Sequence, residues 1–258
     1  MSTALLQANN LHWSINGRDI VNDVSISVAP GTMLGIVGPN GSGKTSLLRM
    51  LAGLNSPSSG EVQISGSALS SLRRKEIARR LAYVEQIAHT EMDLNVRDVV
   101  GLGRLPHHRS WRSLPAVCAA DAPIIDEVAA HTGISELLDR SWTQLSGGER
   151  QHAQIARALA QDAPVILLDE PTNHLDISHQ LDILRLVQES EAAAVVVLHD
   201  LNLASMFCDH IHVMRDGRTV AEGAPDSVLN QDLIADVFSV SPVISETESG
   251  RPAIRYLL

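Results

Sequence analysis

The chain has 258 residues, 44% of them hydrophobic, and a formal net charge of −10. That balance supports a substantial buried core and argues against nucleic acid as a partner, because phosphate backbones are held by a basic face. The two cysteines, Cys118 and Cys208, form no CxxC pair, which fits a reducing compartment.

No apolar run approaches the roughly 20 residues that a bilayer-spanning helix needs. The start, Met1 to Leu6, lacks the basic-then-apolar plan of a secretory signal. The chain reads as cytoplasmic, with any membrane link made through a partner.

Residues 5–30 alternate apolar and polar, with Val24, Ile26 and Val28 set against Ser25, Ser27 and Ala29. This predicts antiparallel strands joined by a turn at Asn16-Gly17. Met33 to Val37 predicts a short buried strand, and a helix is expected from about Lys44 to Ala52. Between them lies Gly38-Pro39-Asn40-Gly41-Ser42-Gly43-Lys44-Thr45, which fills every fixed position of G-x-x-x-x-G-K-[ST]. Strand, glycine loop and helix together make this a phosphate loop rather than a glycine-rich turn. Its backbone N–H groups suit the β- and γ-phosphates of a nucleotide, and the positive end of the helix, with Ser46 in its first turn, faces them. Lys44 adds a mobile cation, and Thr45 supplies a hydroxyl to Mg²⁺.

Gly60 to Ile64 predicts another strand. Arg73 to Arg80 reads as a basic helix with a solvated face, and Leu81 to Val84 as a strand, with Gln86 just beyond it. From Gln86 the texture becomes helical. Asn95 to Gly103 and Asp121 to His131 have helical patterns, separated by a loop holding Pro106, His107, His108 and Pro115. Ser146 and Glu149 form a capping box, so a helix is expected to start there and run to about Gln161.

Val165 to Leu168 predicts an apolar strand ending in Asp169-Glu170, expected beside the phosphate-loop strand. A carboxylate at Asp169 can hold Mg²⁺, and Glu170 is the natural general base for attack on a γ-phosphate. Helices follow at about Asp176 to Glu189 and Leu201 to Cys208, around a buried strand Ala193 to Leu198. Strands Ile211 to Met214 and Thr219 to Glu222 flank the turn Asp216-Gly217, and residues from about Ser241 read as a small appendage. Cys208, His210 and His212 alternate along one stretch, but two ligands on a strand make no metal site without further partners.

The segment Leu145-Ser146-Gly147-Gly148-Glu149-Arg150-Gln151 changes the meaning of these parts. With the phosphate loop upstream and Asp169-Glu170 downstream, it resembles the signature of ABC (ATP-binding cassette) transporter ATPases, and the resemblance covers about residues 5–225. It implies an α/β fold: a RecA-like P-loop NTPase core with an antiparallel β subdomain (1–85 and 164–240), an inserted helical subdomain (86–163) and an appendage (241–258). It implies ATP and Mg²⁺, with Gln86 meeting the ion and the attacking water and His199 contacting the γ-phosphate. Asn173-His174-Leu175-Asp176 resembles the loop that crosses the dimer interface. Ser146, Gly147, Gly148 and Glu149 then reach the nucleotide of a second copy in a head-to-tail, ATP-dependent dimer. The family stacks an aromatic residue on adenine. Trp13 is the aromatic in the first strands, although alignment on the Asn16-Gly17 turn points to Ile15.

Val99 to His107, Thr172 to Asp176 and His199 to Ala204 are similar to ATPases of iron-chelate importers, which serve ferric siderophores, haem and cobalamin. That similarity implies membrane permease subunits as partners, a substrate-binding protein indirectly, and a place on the cytoplasmic face of the membrane. Gly101 to Trp111 would help to form a groove for a permease helix. A soluble ATPase acting on ribosomes or DNA is the alternative of another class; such proteins usually carry two cassettes or long coiled coils. An exporter ATPase shares the catalytic motifs.

Overall fold

The computed structural model describes residues 4–86, 94–108, 118–248 and 250–257. Two long strands open the chain, β1 (Leu6–Ile15) and β2 (Arg18–Val28), which pair antiparallel across the expected turn. Asn16 and Gly17 both take positive φ, as a two-residue hairpin turn requires. Next come β3 (Met33–Val37), α1 (Lys44–Leu51), β4 (Ser59–Ile64), β5 (Ser67–Ala68), α2 (Arg74–Ala78) and β6 (Leu81–Val84). The helical stretch holds α3 (Val96–Gly101), the 3₁₀ turn Leu102–His107, α4 (Ala122–His131) and α5 (Gly147–Ala160). Then follow β7 (Val165–Asp169), α6 (Ile177–Glu189), β8 (Ala193–Val197), α7 (Leu201–Phe207), β9 (His210–Arg215) and β10 (Arg218–Gly223). The chain closes with α8 (Pro225–Val228), α9 (Gln231–Phe238) and the hairpin β11 (Ser241–Glu246) and β12 (Pro252–Leu257).

Every residue of β3, β7 and β8 is buried. Such continuous apolar runs belong to a parallel sheet covered on both faces. The six-stranded sheet has the order β10-β9-β3-β8-β7-β6, parallel except for the β9–β10 pair. The strand ending in Asp169 is therefore not beside the phosphate-loop strand, as the sequence suggested; β8 lies between them. The two loops still converge, because α1 crosses this face of the sheet and packs on β7 and β8. Helix α1 thus carries Thr45 from the end of β3 to the end of β7.

Three apolar clusters follow the layers. One joins α1 to the antiparallel sheet β2-β1-β4-β5 and to one face of the central sheet. A second fills the opposite face, under α5, α6 and α7. A third lies within residues 96–160, among α3, α4 and α5, with Trp142 at 4% exposure. Pro106 and His107 belong to the 3₁₀ turn rather than to an open loop, and the basic helix is shorter than expected, at Arg74–Ala78. The first cause is local: Arg104 and His107 bond the carbonyls of Ala160 and Gln161 and hold the turn on the end of α5.

The C-terminal hairpin docks against α7. Asn202 bonds the backbone of Ile254 in both directions, at 3.1 and 2.8 Å. Arg251 donates to the carbonyls of Ser205 and Cys208, and Ile254 joins the second cluster at 4% exposure.

His212 on β9 lies buried, with its Nε2 2.9 Å from the Thr219 hydroxyl and its Nδ1 3.6 Å from Glu222. Burial holds its pKa down at about 4. In acid the unfolded chain takes up a proton there that the folded chain refuses, so stability should fall as pH drops from about 6.5 towards 4. The loss attributable to this group is about 2–3 kcal/mol. In His212→Gln, urea midpoints measured from pH 7 to 4.5 should decline less steeply; an unchanged slope would assign the acid sensitivity elsewhere.

Candidate functional site

The phosphate loop is fixed by its backbone before any ligand is considered. Gly38 has φ 153°, and a Cβ there would lie 2.1 Å from the Met214 carbonyl oxygen. Gly43, at φ 98°, would press a Cβ to 2.5 Å from the Ile20 carbonyl. Both glycines are needed for the chain to pass so close to β9 and β2. Lys44, 5% exposed, turns its ammonium back onto the carbonyls of Gly38 and Pro39, at 2.8 and 3.0 Å. Burial lowers its pKa, while Glu170 and Asp169 act in the opposite direction. The Ser42 hydroxyl is buried and has no hydrogen-bond partner among the described residues. A cradle with a desolvated cation and an unmatched buried hydroxyl at the head of a helix is built to take an anion.

A cavity of about 340 Å³ opens at this loop. It is lined by Asn40, Gly41, Gly43, Lys44, Thr45, Ser46 and Glu170, and by Arg18 and Ile20 from β2. Trp13 is not in that lining; it sits partly buried against the cluster that joins α1 to the antiparallel sheet, while Ile15 is 45% exposed. Arg18 and Ile20 had no motif to single them out. They come to the cavity because the hairpin folds over the loop.

Asp169 closes the other side. Its Oδ1 accepts from the Thr45 hydroxyl at 3.0 Å, and its Oδ2 from Tyr83 at 3.3 Å. The carboxyl is 3% exposed, and burial raises its pKa, against the pull of Thr45. Its own burial, and then the same carboxylate, push the Tyr83 phenol upward, so that phenol stays protonated as a donor. A buried carboxylate beside a hydroxyl fits Mg²⁺ on the chemistry of its donors.

Glu170 follows at φ 50°, a left-handed backbone that few non-glycine residues adopt. The strained turn aims its carboxylate out of the sheet into a ring of three donors. His199 Nε2 lies 2.7 Å from Oε1, and Gln86 Nε2 donates to Oε2 at 2.6 Å. The Asn173 amide donates to the same oxygen. Glu170, Gln86 and His199 are far apart in the sequence, and the structure brings the latter two to the Glu170 carboxylate. Asn173 is an addition to that group.

The signature segment lies elsewhere. Ser146 caps α5, accepting from Glu149 N at 3.3 Å, while Glu149 accepts from Ser146 N at 2.7 Å. That backbone bond, and then the Ser146 hydroxyl, holds the Glu149 carboxyl below its usual range. The ring of His179 packs over Gly148, where a Cβ would be only 3.2 Å away. None of Ser146, Gly147, Gly148 and Glu149 lines the phosphate-loop cavity.

The parallel sheet, the loop and the buried Asp169 define a P-loop nucleotide-binding fold. Residues 21–173 match the family described as ABC transporter, and the chain belongs to that family. It is 39% identical over 259 residues to the hemin import ATP-binding protein HmuV of Pseudomonas entomophila, covering 97% of this chain and 99% of that protein. It is 36% identical over 261 residues to the ferric enterobactin transport ATP-binding protein FepC of Escherichia coli, covering 98% and 94%. The cobalamin import ATP-binding protein BtuD of Halobacterium salinarum is 42% identical over 237 residues, 90% of this chain but 58% of that longer protein. Among solved structures, the ADP conformation of MJ1267, an ATP-binding cassette of an ABC transporter, superposes with a TM-score of 0.82 at 23% identity, covering 92% and 99%.

Gly38→Ala should abolish nucleotide binding and destabilise the chain by about 1–3 kcal/mol, the usual cost of overpacking. Thermal melting with and without nucleotide checks both. A variant that melts normally and still gains stability from ATP would show that the loop has room that its geometry denies.

Proposed function

We propose that this chain is the ATP-binding and ATP-hydrolysing subunit of an ABC importer that takes up an iron chelate, haem or cobalamin. The observation that carries the hydrolytic part is the single carboxylate of Glu170, gathered by Gln86, Asn173 and His199 at the mouth of the phosphate-loop cavity. The relatives named for hemin, enterobactin and cobalamin support the substrate class.

In this reading the loop Gly38 to Ser46 holds the β- and γ-phosphates, with Lys44 released from its two carbonyls to meet them. Thr45, Asp169 and Gln86 hold Mg²⁺, which when bound offsets phosphate charge and orients the γ-phosphoryl group. Glu170 takes a proton from the attacking water, whose oxygen bonds to the γ-phosphorus as the bond to ADP breaks. His199 and Gln86 keep the Glu170 carboxylate aimed and mark where the γ-phosphate ends. Adenine is placed over the β1–β2 hairpin, with Trp13 as its aromatic platform; Trp13→Ala should then weaken ATP binding by about 1–3 kcal/mol. If affinity holds in that variant, Arg18 and Ile20 are the platform.

The signature segment acts on the nucleotide of a second copy, set head to tail, since it offers an open helix N-terminus away from its own loop. The domain reading follows: a core of residues 1–85 and 164–240, a helical subdomain of 86–163 and a C-terminal piece of 241–258. Residues Gly53, Leu54, Arg74, Ile77, Leu102 and Gly103 line a groove of about 460 Å³ between core and helical stretch. This groove is assigned to the cytoplasmic helix of a permease. Residues 109–111 of the segment expected there lie outside the described residues. No described helix is long and apolar enough to cross a membrane. The same reading puts the chain peripherally on the cytoplasmic face, with the substrate-binding protein reached only through the permease and with no nucleic-acid partner.

Glu170→Gln should bind ATP, dimerise and lose turnover by at least the roughly 10²–10⁴-fold that a general base contributes. Steady-state hydrolysis and ATP-dependent dimer formation read this out. Near-normal turnover would move the base elsewhere. Leu54→Glu, in the groove, should leave the basal ATPase intact and abolish co-purification with the permease; retained co-purification would reject the groove.

A further inference from the structure

One cluster outside the nucleotide site has a composition that packing alone does not ask for. His108 follows the 3₁₀ turn Leu102–His107, and Cys118 and Asp121 stand at the entry to α4. One ligand-capable atom from each of the three lies within 4.8 Å of the other two. Asp121 is at the N-cap position of α4, yet its side chain makes no capping bond. Although the residue is only 7% exposed, its carboxylate turns away from the helix. Oδ2 meets His108 Nε2 at 2.7 Å, and Oδ1 accepts from Arg104 Nε at 3.2 Å. Cys118 is partly exposed and free of any disulfide.

We infer that His108, Cys118 and Asp121 form a binding site for a divalent transition-metal ion of the Zn²⁺ class, with a fourth position open to water. A thiolate, an imidazole and a carboxylate make a borderline-soft set that favours Zn²⁺, Co²⁺ or Fe²⁺ over Mg²⁺ and Ca²⁺. Tetrahedral bonds of about 2.0–2.3 Å hold neighbouring ligand atoms roughly 3.3–3.7 Å apart. The three ligand atoms lie within 4.8 Å of one another, so binding draws them together by up to about 1.5 Å. The His108–Asp121 contact opens by about half an ångström when an ion replaces the hydrogen bond. Arg104 is the outer partner that fixes the carboxylate; its Nη1 is itself anchored on the Ala160 carbonyl at 2.8 Å. As the metal–Sγ bond forms, the Cys118 S–H bond breaks and its proton goes to solvent, so uptake is coupled to proton release. Leu102 and Gly103, on the same turn, line the groove assigned to the permease. The ion would tie the end of that turn to α4; this consequence, unlike the site, rests on the permease assignment.

The test uses the untagged, nucleotide-free 258-residue chain, stripped of metal and held in excess Mg²⁺ so that hard-ligand sites are filled. Titration with Co²⁺ should give one equivalent bound, with tetrahedral visible bands and a thiolate-to-cobalt charge-transfer band, all displaced by Zn²⁺. Cys118→Ser should lose the charge-transfer band while still binding ATP, which separates a failed metal site from a failed fold or a failed nucleotide reading. His108→Gln and Asp121→Asn should each weaken Co²⁺ by more than the roughly 10–100-fold cost of losing an outer partner. Cys208→Ser should change nothing, because that thiol is buried and pushed up to about 12. The absence of a thiolate band at saturating Co²⁺, or its survival in Cys118→Ser, would overturn the proposal.

Discussion

The geometry of the site depends on one constraint: β8 separates the strand that leads into the phosphate loop from the strand that ends in Asp169. The residues of the candidate site must therefore be brought together across an intervening strand. Helix α1 does this at its first turn, where Thr45 reaches the Asp169 carboxylate at 3.0 Å. The β8 strand is itself used, because the chain leaves its end through His199, 2.7 Å from Glu170. Glu170, Gln86 and His199 thus come from the C-terminal ends of β7, β6 and β8, three adjacent parallel strands. This is where open parallel sheets place ligands, since loops and helix N-termini converge there.

That convergence explains why Glu170 adopts a left-handed backbone. At φ 50° the chain turns sharply off β7, and Asn173 folds back onto the same carboxylate. Such a conformation costs of order 1–3 kcal/mol and persists only where the surroundings over-determine it. Here a buried sheet on one side and three hydrogen-bond donors on the other supply that determination. The result is a carboxylate already aimed before substrate arrives.

Much of this was legible in the sequence because it rests on local rules. The glycine loop, the capping box at Ser146 and Glu149, the Asn16-Gly17 turn and the runs of β3, β7 and β8 are all short-range patterns. What was not legible is long-range. The order of the strands placed β8 where adjacency of β3 and β7 had been expected, and hydrophobic runs carry no information about which neighbour they choose. Arg18 and Ile20 reach the cavity only through the fold of the hairpin, and Tyr83 reaches Asp169 only through the pairing of β6 with β7. The C-terminal residues read as polar with short apolar runs, yet the sequence gives no sign that Asn202 and Arg251 will tie them to α7. Helices α8 and α9 are not expected from the sequence, although α9, at eight residues, is as long as α1.

The signature segment and the phosphate loop are held apart in the same chain, and the proposed function makes them two halves of one chemistry. Ser146 to Glu149 crown α5 outside the cavity that Lys44 and Glu170 line; under the proposed function each half works with the other half of a second copy. The most direct test is complementation in a mixed dimer. Lys44→Ala alone and Gly148→Asp alone should both be inactive in ATP hydrolysis. Mixed in equal amounts, they should form hybrids with one intact composite site and recover about a quarter of wild-type turnover. A mixture as inactive as its components, although the chains dimerise, would contradict the divided site.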